Sequence, residues 1–250
     1  MHRSRTYDAT GIILRSRPLG DTDRIAVLYS LEEGKLSAVA KGARRANSKL
    51  AAAVQPFAHG RFGLARGKSL DVVTQCRLAE SFYELRVDLD RLTAACCVVE
   101  LVDRAVEDRH PDADTFALLL GALRGLCPAP DPELILWTFG VQLLSRFGYR
   151  PVLGACSRCG STESQGARFS PLFGGRLCGA CLGHDPQAFE VTRDSVQLLR
   201  ALVEGSAQGG DSPVLEDRTR HELRRVFREL IEHRLDLRLR SLEFADRVGG

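Results

Sequence analysis

The amino-acid sequence predicts an α+β protein of several domains, in which a small five-stranded barrel precedes a mainly helical region with a four-cysteine insertion. Three observations indicate this class. Hydrophobic residues recur with a period of two in the first 80 residues, and the period becomes 3.6 from Asp88 onward. Two Cys-x-x-Cys pairs then interrupt the helical pattern. We therefore expect a barrel in residues 1–81, one helical domain in residues 82–152 and 184–250, and the cysteine module in residues 153–183.

The barrel is predicted from five short segments that are bounded by glycine or polar turns. The candidate strands are Tyr7–Arg17, Arg24–Leu31, Leu36–Lys41, Pro56–Leu64 and Leu70–Ser81. Alternation is clear in the last of them, where Val72, Thr74, Cys76 and Leu78 share one face. Between the third and fourth strands, Asn47–Val54 is expected to form a short helix. Five strands with a helical insert after the third describe an OB-fold.

The helical region begins at Asp88, after which apolar residues follow one helical stripe. The stripe consists of Leu89, Leu92, Cys96, Val99, Val102 and Val106. A second helix is predicted over Ala113–Leu126. A third starts with Asp131 as its cap and Pro132 in its first turn, and it ends at Gly148. This third helix is apolar on nearly all sides, so we expect it to be buried centrally.

Two further helices are predicted, at Thr192–Val203 and from Leu215 to about Leu235, with a flexible stretch at Gly205–Pro213 between them. Their apolar faces would pack onto the earlier helices, which makes the cysteine module an insertion within one helical domain. The last helix is rich in arginine, but acidic neighbours at intrahelical spacing favour a solvated face over a binding surface.

The strongest chemical signal is the pair of motifs Cys156-Ser157-Arg158-Cys159 and Cys178-Gly179-Ala180-Cys181, which are separated by 18 residues. A Cys-x-x-Cys turn directs two thiolates to one point, and a second turn completes a tetrahedron of sulfur ligands. This donor set and spacing predict one structural Zn²⁺ ion. Its ligands would be Cys156, Cys159, Cys178 and Cys181.

Two other roles for these cysteines are weaker. Redox dithiols of the thioredoxin type would place each motif at the start of a helix after a strand, which the sequence does not indicate. A catalytic zinc would keep one coordination position open and add a general base, whereas the nearby His184 is expected to be a surface residue. The module is therefore expected to stabilise the fold.

Charge is distributed unevenly along the chain. The net charge is +3, but residues 1–80 carry 14 Lys and Arg against 7 Asp and Glu, while the remainder carries 21 against 25. Such an asymmetry points to a basic module with a polyanionic partner, most simply nucleic acid, and the alternative is an ordinary solvated face.

The candidate phosphate contacts are lysine and arginine residues on or between the predicted strands. They are Arg15, Arg17, Arg24, Lys35, Lys41, Arg44, Arg45, Lys49, Arg61, Arg66 and Lys68. Few aromatic residues accompany them, and several of those fall in strand patterns where core packing is expected. Phosphate contacts should therefore dominate over base stacking, with little sequence specificity and a steep loss of affinity with salt.

Several segments resemble those of a known family. They are Ile13–Arg15, Gly20–Ile25, Gly34–Leu36, Val39–Arg45, Leu50 with Pro56–Phe57, and Gly148–Pro151 before the first cysteine pair. On these residues the chain resembles the bacterial RecO family of recombination mediators along essentially its whole length. The resemblance implies an N-terminal OB-fold followed by a helical domain that carries a four-cysteine zinc module.

The resemblance also implies a function in DNA repair by the RecF pathway. It implies binding of single- and double-stranded DNA, annealing of complementary strands, and, together with RecR, help for RecA in displacing single-stranded DNA-binding protein. RecR would contact the OB-fold, and the acidic tail of single-stranded DNA-binding protein would dock on the helical domain.

No enzyme class is indicated, because the sequence contains no P-loop, no nucleophile elbow and no convincing Ser, His and Asp arrangement. The alternative function is a zinc-stabilised scaffold whose basic face contacts acidic proteins. No apolar run reaches the length of a membrane span, and the first residues lead into a strand pattern without a signal-peptide core. We expect a cytoplasmic, nucleoid-associated protein.

Overall fold

The computed structural model of the chain describes residues 5–163, 168–205 and 215–248. Contacts within the chain divide it into two compact units, Met1–Pro128 and Ala129–Gly250. The four-part division of the sequence at residues 81, 152 and 183 stays a prediction, because a compact unit groups neighbours in space and does not identify a segment that folds alone.

The first unit opens with a closed barrel of five strands in the order β1-β2-β3-β5-β4. The strands are β1 (Thr6–Leu19), β2 (Asp23–Ser30), β3 (Gly34–Ala40), β4 (His59–Ala65) and β5 (Asp71–Glu80). All neighbouring strands are antiparallel except β3 and β5, which run parallel where Ala38–Ala40 faces Asp71–Val73. The predicted five-stranded OB-type barrel is thus confirmed, with strand ends within about three residues of the predicted ones.

The barrel interior is filled by small and branched apolar side chains from every strand. Ala9, Leu28, Leu36, Phe62 and Val73 are all almost fully buried in one cluster. Buried and half-buried residues alternate regularly along β3, because every second side chain points into the barrel.

The segment between β3 and β4 differs from the prediction, because Asn47–Val54 forms a series of turns and no helix. Its backbone hydrogen bonds span either three or four residues. Ala51 N donates to Ser48 O at 3.1 Å, and Val54 N donates to Leu50 O at 3.1 Å. The segment is short, and Val54 is fully buried in the barrel core while Leu50 packs against it. Packing onto the barrel therefore determines the conformation of this segment. A helix is not formed, because the first turn of a helix is costly to nucleate in so short a segment.

Three helices complete the first unit: α1 (Glu84–Val87), α2 (Leu89–Ala105) and α3 (Ala113–Leu126). Helix α2 begins as predicted, since the side chain of Asp88 accepts a hydrogen bond from Arg91 N at 3.0 Å. Val99 and Val102 of the predicted stripe are buried, whereas Leu89 is 50% exposed. The buried face is also wider than the stripe, because Ala94, Val98 and Leu101 are buried too. The short α1 carries no sequence signal that predicted it.

The second unit contains the helices α4 (Pro132–Arg146), α5 (Arg193–Glu204), α6 (Asp217–Leu235) and α7 (Arg240–Val248). Helix α4 starts as expected, with Asp131 accepting from Glu133 N at 3.1 Å, and it is buried on most sides. Helices α5 and α6 pack against it. Of the flexible stretch predicted at Gly205–Pro213, residues 206–213 lie outside the described residues.

The cysteine module lies between α4 and α5 in this second unit. It contains a two-stranded antiparallel sheet of β6 (Arg168–Ser170) and β7 (Gly175–Leu177), followed by a 3₁₀ helix at Gly179–His184. Among the residues that the structure describes, none belongs to a helix long and apolar enough to cross a membrane.

Candidate metal centre and candidate nucleic-acid surface

The structure brings the four cysteine sulfurs of the two motifs together. The Sγ atoms of Cys156, Cys159, Cys178 and Cys181 all lie within 4.8 Å of one another. The Sγ atoms of Cys159 and Cys178 are 3.7 Å apart. A tetrahedral zinc site with Zn–S bonds of about 2.3 Å has S–S edges of about 3.8 Å, so the spacing fits such an ion. The cluster can hold a metal ion through four soft ligands.

Backbone hydrogen bonds set the two cysteine turns in place. Cys156 N donates to Ser161 O at 2.7 Å, and Cys181 N donates to Cys178 O at 2.9 Å. The two turns are joined because Ser157 N donates to the carbonyl of Arg176, a residue of β7, at 2.7 Å. The short sheet therefore carries the second pair of cysteines to the first.

The surroundings of Cys156 and Cys181 give these two thiols different pKa values. Burial opposes ionisation of Cys156, but hydrogen bonds from the backbone of Cys159, Cys178 and Arg158 lower its pKa to about 6. The hydrogen bond from Arg158 lowers the pKa of Cys181, but burial and the three neighbouring sulfurs raise it to about 11. Backbone donors thus favour a thiolate within a group of thiols that a divalent cation would ionise together.

One argument against a redox dithiol does not hold for the second motif. Cys178 directly follows β7 and is the N-cap of the 3₁₀ helix Gly179–His184, so this motif does open a helical turn after a strand. The sequence could not show this, because β7 is only three residues long. The meeting of all four sulfurs is the observation that favours a metal centre. His184 is exposed, as expected, and its Nδ1 lies 3.1 Å from Cys181 O.

The segment after β3 carries four of the candidate DNA contacts, and it docks on the β1–β2 turn. Arg44 N donates to Thr22 O at 2.8 Å, and Arg44 Nη1 donates to Gly20 O at 2.8 Å. Gly42 N donates to Asp23 Oδ1 at 2.8 Å. This last bond, the hydroxyl of Thr22, and the charges of nearby basic side chains lower the pKa of Asp23.

Two strand residues extend the positive charge from this segment. Arg17 is exposed on β1, and Arg24 on β2 lies beside Ala40, the last residue of β3. Arg24 Nε donates to Ser16 Oγ at 2.7 Å. We call this group the basic end of the barrel. It consists of Arg17, Arg24, Lys41, Arg44, Arg45 and Lys49.

Four of the other candidate contacts are held by carboxylates within the first unit. Arg15 pairs with Asp103 at 2.6 Å, Lys35 with Asp108 at 3.3 Å and Arg61 with Asp8 at 3.2 Å. Arg66 pairs with Glu33 at 2.9 Å and stacks on the ring of Tyr7, with 4.3 Å between its guanidinium carbon and the ring centre.

The predicted cations therefore do not form one surface. Lys35 lies near the start of β3, whereas Lys41 follows its end, so the strand separates them. Arg66 and the exposed Lys68 lie in the β4–β5 connection, near the start of β3. The structure brings the basic end together and places Lys35, Arg66 and Lys68 at the other end of the barrel.

Arg109 occupies a position that the sequence did not single out. It has a positive φ of 60°, and its Nη2 donates to Asp71 Oδ2 at 2.5 Å while its Nη1 donates to Glu33 Oε2 at 3.2 Å. Tyr7 also donates to Asp71 through its hydroxyl. Since these partners lie 38, 76 and 102 residues from Arg109, no local pattern could have predicted the cluster.

Comparison with known proteins is decisive for the family. Family models described as "Recombination protein O N terminal" and "Recombination protein O C terminal" match residues 1–82 and 86–243. The chain belongs to the RecO family. The two RecO family matches adjoin between β5 and α2. The match to the N-terminal family model therefore covers the barrel.

Curated relatives in the RecO family align over nearly the whole chain. A protein of Symbiobacterium thermophilum is 38% identical over 244 residues, which cover 96% of each chain. A protein of Pelotomaculum thermopropionicum is 36% identical over 250 residues, covering 98% of this chain and 95% of the relative. One from a Roseiflexus species is 36% identical over 247 residues, covering 98% and 87%. All three carry the name "DNA repair protein RecO".

Proposed function

We propose that this chain is a recombination mediator in DNA repair that binds single- and double-stranded DNA without sequence specificity and anneals complementary strands. Together with RecR it helps to load RecA onto DNA that is covered by single-stranded DNA-binding protein. It acts without catalytic chemistry of its own. Family membership supports the role in recombination, and the charge of the barrel supports the binding of DNA.

The basic end of the barrel carries this proposal. Within the described part of the chain, Arg17, Lys41, Arg45 and Lys49 form no ion pair, and all four are exposed. Arg44 is exposed as well and donates one hydrogen bond to a carbonyl. Cations that are not held in an ion pair can bind phosphates and release the counterions that surround DNA. Lys35, Arg61 and Arg66 would first have to break an ion pair.

The aromatic residues of the barrel favour contact with phosphates over contact with bases. Tyr29, Phe57 and Phe62 are at most 1% exposed, and Tyr7 is half-buried under Arg66. None of these rings offers a free face for stacking a base. A strand held by its phosphates keeps its bases available for pairing, which suits the annealing of two strands and tolerates a duplex.

The four-sulfur cluster holds one structural zinc ion in this proposal. All four ligands are sulfur, which leaves no open position for catalysis and matches closed structural zinc sites. The ion would join the turns at Cys156–Cys159 and Cys178–Cys181, which lie in the second unit, whereas the basic end lies in the first. Its contribution to DNA binding is therefore indirect.

The test compares two triple variants of the same barrel. The first is Lys41→Gln, Arg44→Gln and Arg45→Gln, which removes three charges from the basic end. The matched control is Arg15→Gln, Arg61→Gln and Arg66→Gln, which removes three charges that are held in ion pairs. Binding of labelled single-stranded DNA is titrated at several salt concentrations for both variants and the unchanged protein.

We expect the first variant to bind at least tenfold more weakly at low salt. Its plot of log affinity against log salt should be less steep by about 2, since each lost contact to a single strand contributes about 0.7. The control should keep the slope of the unchanged protein. If both triple variants reduced the slope equally, only the net charge would matter. The assignment of DNA binding to the basic end would then be wrong.

A scaffold without DNA binding is the alternative function, and the same titration with and without RecR separates the two. A mediator binds DNA in a salt-dependent manner in at least one of these conditions. Absence of salt-sensitive binding in both would leave contacts with RecR and with the acidic tail of single-stranded DNA-binding protein as the function.

A further inference from the structure

Arg158 is a cation inside the first cysteine turn that reaches the second one. Its Nη1 lies 3.9 Å from Sγ of Cys181, which is within hydrogen-bond distance for a sulfur acceptor. Cys181 is 4% exposed, so water has little access to this sulfur. Arg158 itself is exposed, so its guanidinium covers the sulfur from the solvent side.

The charge of a filled site explains why such a contact matters. Four thiolates and one divalent cation leave a net charge of about −2 on the cluster. Negative charge that is largely removed from water is costly unless donors and cations face it. Backbone N–H groups face Cys156, whereas Cys181 receives a donor from the side chain of Arg158.

The other arginines of the module point elsewhere. Arg168 Nη2 pairs with Glu190 at 3.2 Å, and Arg176 Nη2 donates to Ser161 O at 3.3 Å. In residues 153–163 and 168–183, which the structure describes, Arg158 is the arginine whose guanidinium contacts a cysteine sulfur. The contact is therefore specific to one side chain.

We propose that Arg158 is a positioning residue for the bound metal, which donates an N–H group to the Cys181 thiolate and offsets the negative charge of the filled cluster. The inference rests on the proposed metal occupancy of the four sulfurs. Because partners that orient and polarise metal ligands typically contribute 10- to 100-fold to metal affinity, its loss should be measurable. The effect is on retention of the ion, with DNA binding by the barrel left unchanged.

The experiment compares Arg158→Gln with Arg168→Gln in the full, zinc-loaded chain. Both variants remove one arginine from the module, but only the first loses the contact to sulfur. Zinc affinity and the rate of zinc transfer are measured by competition with the chromophoric chelator 4-(2-pyridylazo)resorcinol. We expect Arg158→Gln to weaken zinc binding about tenfold and Arg168→Gln to change it less than twofold. Arg158→Lys keeps the charge and should fall between the unchanged protein and Arg158→Gln.

Cobalt substitution supplies a readout that a change in folding would not mimic. Co²⁺ in the four-sulfur site has sulfur-to-metal charge-transfer bands, whose intensity reports the number of thiolate ligands. We expect Arg158→Gln to keep that intensity and to shift the band energy, because all four ligands remain while one loses its donor. Unchanged zinc affinity in Arg158→Gln would overturn the inference, and so would an equal loss in Arg168→Gln. An unchanged chain that binds no zinc overturns it too, while its DNA titration still tests the proposed function separately.

Discussion

Arg15 Nε lies 2.6 Å from Asp103 Oδ2, so the exposed guanidinium on β1 is bound by a carboxylate of α2. Lys35 contacts the same residue through Nζ, which donates to Asp103 O at 2.6 Å. Two candidate DNA contacts thus connect the barrel to α2. Their loss should act on stability.

For Arg15→Gln we expect the free energy of unfolding to fall by less than about 1 kcal/mol, because exposed ion pairs contribute that little. Arg15 is 57% exposed in this pair. The dissociation constant for single-stranded DNA should stay within about twofold, since the basic end is untouched. Urea unfolding and a DNA titration measure the two quantities. If Arg15→Gln lost as much DNA affinity as Lys41→Gln, the prediction would be wrong and Arg15 would belong to the DNA-binding surface.

Tyr7 should link the stability of the first unit to alkaline pH. Burial and the hydrogen bond to Asp71 raise the pKa of Tyr7 to about 12, although Arg109 opposes this. Since the pKa is higher in the folded than in the unfolded chain, the stabilisation is complete below about pH 10 and is lost as the pH rises towards 12.

Burial opposes ionisation of Asp71, but donors from Tyr7, Arg109 and Gly67 lower its pKa. The contribution of Asp71 is thus present above about pH 4 and is lost in acid.

Tyr7→Phe tests this relationship. We expect a loss of about 1–2 kcal/mol at pH 8, which shrinks when urea unfolding is repeated near pH 11. Absorbance at 295 nm follows the ionisation of the four tyrosines, and the step near pH 12 that Tyr7 contributes should be missing from the variant. A difference in stability that is the same at both pH values would contradict the assignment.

Removal of the first two sulfurs should affect the second unit before the first. In the double variant Cys156→Ser and Cys159→Ser we expect the bound metal to be lost and unfolding in urea to begin at lower concentration, because structural zinc contributes directly to folding. Affinity for DNA should change less than about threefold, because the proposed phosphate contacts lie in the barrel. Atomic emission gives the metal content.

Cys127→Ser is the control for this double variant, since Cys127 lies in the first unit and donates from Sγ to Leu123 O, a bond that serine can replace. It should retain the metal. Loss of DNA binding in a folded, metal-free double variant would place DNA contacts in the cysteine module instead.

Gly140 allows α4 and α6 to approach closely. A Cβ atom at Gly140 would lie 2.1 Å from Cε2 of Phe227, a distance that no real contact reaches. We expect Gly140→Ala to cost about 1–3 kcal/mol of stability through overpacking. Gly121 in α3 is the matched control, since a Cβ there meets nothing within 4 Å. Gly121→Ala should stabilise by about 0.5–1 kcal/mol in urea unfolding. Equal stabilities of the two variants would exclude the close packing of α4 and α6.

Elements with a local signal were predicted well. Helix α3 spans Ala113–Leu126 as predicted, and Asp131 caps α4 at the predicted position. Caps, prolines and hydrophobic periods act within a few residues, so the sequence alone contains the information. The buried face of α2 was predicted only in part: Val99 and Val102 are buried as expected, but so are Ala94 and Val98, which lie outside the stripe. Packing against other elements, such as β1, decides which sides of the helix are covered.

By itself the sequence determined the order of barrel, helices and cysteine module, and it identified the four sulfurs as a candidate metal-ligand set. Only the tertiary structure decided which of the candidate cations are held in ion pairs. Arg15 and Asp103 are 88 residues apart in the chain, and Arg66 and Glu33 are 33 apart. A charge pattern gives the number of cations, whereas their ion pairs form only when the chain folds and brings distant carboxylates within reach. The candidate surface is therefore reduced from a whole barrel to its basic end.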